Sequence, residues 1–227
     1  MNGYEEAWRR FEAERRLEFG GHRDPSWSDG HECSASFSIS VDAGPLSDAL
    51  APLRRALEPF PFVSLHPDRF LHITLLMLGF PVEAPDGEGE ISRARLGELS
   101  DRACRAAGAF PAFTVEFANL NAFPGAAFVE IHDGGKLREL RSALSASCEV
   151  REPSGPPHLT LAYLQAQDGT AAPADLVEAI RRYREWPVGT MSVESVELTL
   201  LDLTKDYPEP QTVAELPLSG AGPSGGR

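Results

Sequence analysis

The run Phe70-Leu71-His72-Ile73-Thr74-Leu75-Leu76-Met77-Leu78-Gly79-Phe80 and its echo Pro157-His158-Leu159-Thr160-Leu161-Ala162-Tyr163-Leu164 decide how this chain is read. Each is an apolar stretch punctuated by a histidine and, two places on, a threonine. In an extended strand, residues i and i+2 share a face about 6.6 Å apart. His72 and Thr74 therefore look one way, while Leu71, Ile73 and Leu75 look the other. His158 and Thr160 repeat the arrangement against Leu159 and Leu161. A lone His-x-Thr is a weak signal, and a core histidine accounts for it more simply. Two copies in opposite halves of the chain, both inside apolar strand runs with leucine flanks, are not what unrelated core histidines produce.

Working outward, the pattern mixes strands and helices. Ser36 to Val41 alternates Phe37 and Ile39 with serines, and Leu46, Leu50, Leu53 and Leu57 form one helical stripe in which Pro52 marks a kink or a late start. Residues 81–91 read as loop, and residues 93–107 as a helix with Leu96, Leu99 and Cys104 inward. Phe113, Val115 and Phe117 alternate, 126–132 reads as a second strand, and Leu137, Leu140 and Leu144 mark another helix. A helix over 174–183 and strands over 193–203 and 213–218 complete the pattern. Residues 4–18 carry Trp8, Phe11 and Leu17 among many charges, which predicts a modest amphipathic helix lying outside the core. The expected organisation is an N-terminal helical extension and loop over 1–35, a catalytic domain of two lobes over 36–219, and a disordered tail over 220–227. The fold class is α+β, or α/β-like: a bilobal, duplicated sheet-and-helix fold whose central cleft carries the two His-x-Thr strands.

With 227 residues and 42% hydrophobic content the chain can bury a substantial core. A net charge of −13 argues against coating a long nucleic-acid duplex, because such binding rests on many Lys and Arg contacts to phosphate. No run approaches the ~20 apolar residues of a membrane span, and the charged first residues do not resemble a signal peptide. A cytoplasmic monomer that engages no membrane is expected. Cys33, Cys104 and Cys148 are odd in number and widely spaced, so they read as reduced thiols. Lys136 and Lys205 are the only lysines, which leaves arginine for any phosphate clamp beyond the histidines.

Two imidazoles and two hydroxyls gathered around one small anion suit phosphodiester cleavage. One imidazole takes the proton of the attacking water or hydroxyl, and the other protonates the departing sugar oxygen. The threonines donate to the nonbridging oxygens. A histidine pKa of about 6.5 lets one ring be neutral and the other charged. This chemistry needs neither metal nor cofactor. Its expected partner is a nucleotide or RNA end bearing a cyclic phosphate or another phosphodiester.

These residues also resemble a family. FLHITLLMLGF and PHLTLAYL look like the signature strands of the two-histidine phosphoesterase superfamily, and are most similar to those of bacterial LigT-like 2'-5' RNA ligases and 2',3'-cyclic phosphodiesterases. The resemblance runs over roughly 36–218 and takes in Asn121-Ala122-Phe123-Pro124 and the late strand VESVELTLLDL. It implies that His72 and His158 are catalytic, that Thr74 and Thr160 bind phosphate, that the fold is bilobal, and that no metal is used. Many members carry arginine shortly after the second motif, where this chain has Tyr163, a departure that bears on RNA ligation.

For the remaining candidates simpler roles compete. His66, before Pro67, reads as a solvent-facing loop histidine more readily than as part of the cleft mouth. His22, His31, Cys33 and Asp29 match no zinc spacing and read as a flexible loop. His132 ends a strand and reads as exposed. Tyr163, three residues past Thr160, falls on the opposite face of an ideal strand; it either packs in the core with its hydroxyl at the rim or stacks on a base. Phe123 is a loop tip at the cleft or a core anchor. The acidic stretch 82–90 reads as a solvated loop, with a lid as the alternative. The rival to a phosphodiesterase is a non-catalytic nucleotide- or RNA-end-binding module that keeps the cleft. An ATP-dependent ligase would need a Lys-x-Asp-Gly nucleophile, and neither lysine begins one.

Overall fold

The computed structural model describes residues 3–220. The tail expected at 220–227 therefore lies, beyond its first residue, outside the described residues. The chain runs α1 (Gly3–Glu14), the single turn α2 (Pro25–Ser28), β1 (Cys33–Ser40), α3 (Ser47–Leu57), β2 (Val63–Leu65), β3 (His72–Val82), β4 (Glu90–Ser92) and α4 (Arg93–Ala107). It continues through β5 (Phe113–Phe123), β6 (Ala126–His132), α5 (Lys136–Cys148), β7 (His158–Leu164), α6 (Ala174–Arg181), β8 (Pro187–Val193), β9 (Ser195–Asp202) and β10 (Gln211–Pro217).

The strands join in the order β10-β9-β1-β3-β7-β6-β5-β8, with β2 on β7 and β4 on β3. Every pairing is antiparallel except β3 with β4. This is the mixed helix-and-sheet fold expected, with one histidine strand in each wing. The wings do not coincide with the halves of the chain, however. β9, late in sequence, pairs with β1 in the His72 wing and carries β10 on its other edge, while β2 joins the His158 wing. Hydrophobic periodicity assigns strands but is blind to their partners, so the exchange could not be read from it.

The helical stripes face inward as the sequence dictates: Leu50, Leu53 and Leu57 of α3, Leu96 and Leu99 of α4, and Leu137, Leu140 and Leu144 of α5 are buried. Cys104 is exposed rather than inward, because Ala103 and Ala107 take the core side of that turn. Pro52 is accommodated inside α3. The stretch expected to be loop before α4 ends in the short strand β4.

The N-terminal segment departs most from expectation. Tyr4, Trp8, Phe11 and Leu17 are buried, the last three within the main hydrophobic cluster. Asn121 Nδ2 donates to the Tyr4 carbonyl at 2.9 Å, the Arg184 guanidinium lies 5.3 Å from the Trp8 ring centroid, and Arg181 pairs with Glu12 at 2.7 Å. A helix rich in charge still docks when its few aromatics meet an unfilled apolar surface and its charges find partners at the edge. Beyond α1 the chain crosses the sheet at Gly20, whose N–H donates to the Leu164 carbonyl at 2.9 Å. A Cβ at Gly20 would stand 1.8 Å from the Gly125 carbonyl oxygen, so glycine is required by the closeness of the two backbones. No helix among the described residues is long and apolar enough to cross a membrane.

Candidate active site

The two wings meet where β3 and β7 pair, and that pairing consists of one register match, Ile73 with Leu159. In an antiparallel ladder the neighbours on either side face each other, so His72 lies across from Thr160 and Thr74 across from His158. Beyond this point the strands part, and β2 takes the edge of β7 that β3 leaves free, matching Leu65 with Ala162. Ile73 and Leu159 are fully buried beneath the joint, while all four polar side chains stay part-exposed above it. The structure thus brings together His72, Thr74, His158 and Thr160.

Each imidazole is held the same way. His72 Nδ1 is 2.7 Å from the Phe70 carbonyl and His158 Nδ1 is 2.9 Å from the Pro156 carbonyl, in both cases two residues upstream. A carbonyl only accepts, so each neutral ring carries its proton on Nδ1 and leaves the Nε2 lone pair free. Phe70 packs edge-on to His72 at 5.3 Å, and Phe123 and Phe128 each lie 5.1 Å from His158. Phe123, open between two roles in the sequence, is stacked on Phe128 and abuts the second histidine. This apolar bedding disfavours the charged ring: burial pushes the His72 pKa down, and it pushes His158 down to about 4, in each case against the opposing backbone hydrogen bond.

Both motif strands carry a β-bulge one residue past the threonine. Ser38 and Phe37 match Thr74 and Leu76, skipping Leu75; Phe128 and Ala127 match Thr160 and Ala162, skipping Leu161. The extra residue reverses the alternation, so Leu75–Leu76 and Leu161–Ala162 are buried as pairs and the third residue past each threonine returns to the open face. That brings Met77 and Tyr163 to the cleft. The ideal-strand expectation for Tyr163 is corrected accordingly: it lines the same cavity as His72 and Thr74.

That cavity, about 250 Å³, is floored by Ser36, Ser38 and Thr199, whose hydroxyls bond at 3.1 and 3.0 Å. Gly21, His22 and Trp27 from the N-terminal segment also line it. His158 and Thr160 do not line it, and β7 contributes Tyr163 to it instead. His22 is buried against Phe70, Tyr163 and Tyr207, with Nε2 2.9 Å from the Lys205 carbonyl. It therefore belongs to a packed wall, not a flexible loop. His31 stacks on Phe80 at 4.4 Å and bonds to Glu90 at 3.0 Å. His66 is the clearest reversal: at 2% exposure it sits among Phe70, Tyr163 and Tyr207, and burial holds its pKa well below the ordinary value. Its position beside a proline suggested a loop, but the pairing of β2 with β7 carries it inward. His132 is part-buried, edge-on to Tyr4 at 5.7 Å, and not fully exposed. Tyr207, in a loop with no motif of its own, was not legible as part of this cluster. Among the described residues, no group of three or more His, Cys, Asp or Glu side chains converges as a metal site would require.

The model of the 2'-5' RNA ligase superfamily matches residues 44–205. No curated protein matches the chain. Among solved structures, a protein of Thermus thermophilus superposes with a TM-score of 0.60 at 19% identity, covering 83% of this chain and 100% of its own. E. coli LigT complexed with 3'-AMP gives 0.59 at 17% identity over 83% of this chain and 99% of its own. LigT complexed with ATP gives 0.57 at 18% identity over 82% and 98%. At such identities these likenesses establish a shared fold.

Proposed function

Because the chain belongs to the 2'-5' RNA ligase superfamily, we propose that it is a phosphodiesterase that opens 2',3'-cyclic phosphate ends of nucleotides or RNA, with His72 and His158 as the proton-transferring pair. The observation that carries this reading is the symmetry of the joint: two rings, each fixed through Nδ1 to a carbonyl, each offering Nε2, and each facing the other strand's threonine.

One neutral Nε2 removes a proton from water as the water oxygen bonds to phosphorus. The bond from phosphorus to one ribose oxygen breaks, and the second imidazole, entering as imidazolium, delivers its proton to that oxygen. Thr74 and Thr160 donate to the nonbridging oxygens, where charge must be held while both bonds are partial. Since both rings resist protonation in the free protein, the charged one is supplied by the encounter: an anionic phosphodiester placed between them stabilises imidazolium and raises its pKa. A sugar hydroxyl in place of water gives ligation to a 2'-5' bond through the same steps. That the E. coli LigT structures hold 3'-AMP and ATP supports a nucleotide as the ligand class.

The test is hydrolysis of 2',3'-cyclic nucleotides by exhaustively dialysed protein with and without EDTA. Turnover unchanged by the chelator is expected; turnover abolished by EDTA and restored by a divalent ion would sink the two-histidine mechanism.

A further inference from the structure

The chain enters β7 through Gly155-Pro156-Pro157. Pro156 and Pro157 have no N–H, so this entry contributes no backbone donors of its own at these two positions, and donors from elsewhere hold its carbonyls. Arg141, only 3% exposed, donates from Nη1 to the Gly155 carbonyl at 2.7 Å and from Nη2 to the Thr74 carbonyl at 3.2 Å. The Tyr4 hydroxyl accepts from the Ile131 N–H at 3.2 Å and has two carbonyls within reach of its one proton, Pro157 at 2.5 Å and Ile131 at 2.9 Å, of which Pro157 is the nearer. Between these two fixed points, the Pro156 carbonyl receives His158 Nδ1–H.

The first motif is built differently. The Phe70 carbonyl that orients His72 belongs to a short turn closed on itself, with Phe70 N–H to Pro67 O at 2.9 Å and Leu71 N–H to Asp68 O at 3.1 Å. His72 is thus set by its own neighbours in sequence. The carbonyls on either side of Pro156 are instead held by an arginine on α5 and by a tyrosine 153 residues before Pro157.

We propose that Tyr4 and Arg141 are positioning residues for His158, acting by holding the Gly155 and Pro157 carbonyls that flank the Pro156 carbonyl orienting its imidazole. On this view the N-terminal helix, which precedes the stretch matched by the family model, is a working part of the site. Arg141 has a second task, because Thr74 lies across from His158: one guanidinium ties the entry of β7 to the first motif strand.

The proposal rests on the phosphodiesterase reading for its kinetic arm, and its other arm does not. Tyr4→Phe removes the hydroxyl and keeps the ring against Phe128 and His132. Hydrolysis of a 2',3'-cyclic nucleotide, thermal melting, and histidine NMR titrations are measured for wild type, Tyr4→Phe, Arg141→Lys and Arg141→Met. Expected for Tyr4→Phe is a drop in kcat of about 10- to 100-fold with KM within about twofold, as for a small misplacement of a reacting group. The His158 resonances should shift and those of His72 should hold. Arg141→Met should let His158 titrate at higher pH, since a nearby positive charge is gone. Arg141→Lys should keep that titration while losing rate, because an ammonium cannot span both carbonyls. Wild-type turnover in Tyr4→Phe, or equal shifts of both histidines, overturns the proposal; should Tyr4→Phe melt out, Arg141→Lys decides on the same readouts. If wild type turns over no cyclic nucleotide, the functional reading falls, and the comparison of His158 with His72 resonances still settles the positioning.

Discussion

Ile73 and Leu159 form the one register match between β3 and β7, and its register sets each histidine opposite the other motif's threonine. The cleft exists because the two strands touch there and then diverge.

His72→Ala and His158→Ala should each remove roughly 10²- to 10⁴-fold of turnover, the usual contribution of one proton-transfer partner. Both rings are part-exposed above a core that neither fills, so circular dichroism and melting should stay near wild type. A variant that keeps its full rate refutes the pairing; one that unfolds marks its histidine as structural.

Thr74→Val and Thr160→Val keep the branched strand shape and delete one donor each. Losses smaller than those of the histidine variants are expected, of the order of tenfold for a hydrogen bond to a charged group worth about 1.5 kcal/mol. Steady-state kinetics on the same substrate checks this, and a threonine variant more damaging than both histidine variants would contradict the assignment.

The lowered histidine pKa values carry a sign for stability. A ring whose folded pKa lies below the unfolded value of about 6.5 adds nothing at higher pH, where both states are neutral. As pH falls from about 6.5 towards the folded value of about 4 for His158, the unfolded chain binds the proton first and stability declines. Urea denaturation should therefore give a flat stability above pH 7 and a falling one between about 6.5 and 4, with the fall reduced in His158→Ala. An unreduced fall in that variant would locate the titrating group elsewhere. In kinetics the same shift should place the bell of kcat/KM, which reports the free protein, at lower pH than that of kcat.

Two glycines should respond oppositely to alanine. At Gly20 the added methyl meets the Gly125 carbonyl, and a loss of about 1 to 3 kcal/mol is expected with faster proteolysis of the N-terminal segment. Gly97 lies inside α4 with nothing within 4 Å of its would-be Cβ, so alanine there should stabilise by about 0.4 to 1 kcal/mol. Equal effects at the two sites would show that the close crossing at Gly20 is not present in solution.

The motif strands and most helices were legible because their signals are local: a period of two around His72 and His158, a helical stripe at Leu50, Leu53 and Leu57. What escaped is what depends on partners. Tyr163 faces the cleft because Leu161 has no counterpart on β6, and a bulge leaves no mark in one strand's own sequence. His66 is buried because a three-residue strand finds the free edge of β7. Trp8 and Phe11 looked too few among charges to bury a helix, and only the surface awaiting them makes their number sufficient. Even Pro156-Pro157, plain in the sequence, gave no hint of the remote donors its carbonyls require.

The exchange of strands between wings also constrains how the molecule comes together during synthesis. β1, made early, can complete its ladder only after β9 has been made, so the matches from Cys33 with Asp202 to Ser38 with Glu197 close loops of most of the chain. Contacts of such long range slow folding, since the entropy of closure is lost before any pairing is gained. In the His158 wing β5, β6 and β7 are successive in sequence, and its longer closures, β2 with β7 and β5 with β8, span less of the chain than β1 with β9 does. A nascent chain halted before β9 would hold both motif histidines and one edge of β1 unpaired, a surface open to aggregation that only the arrival of the last strands can close.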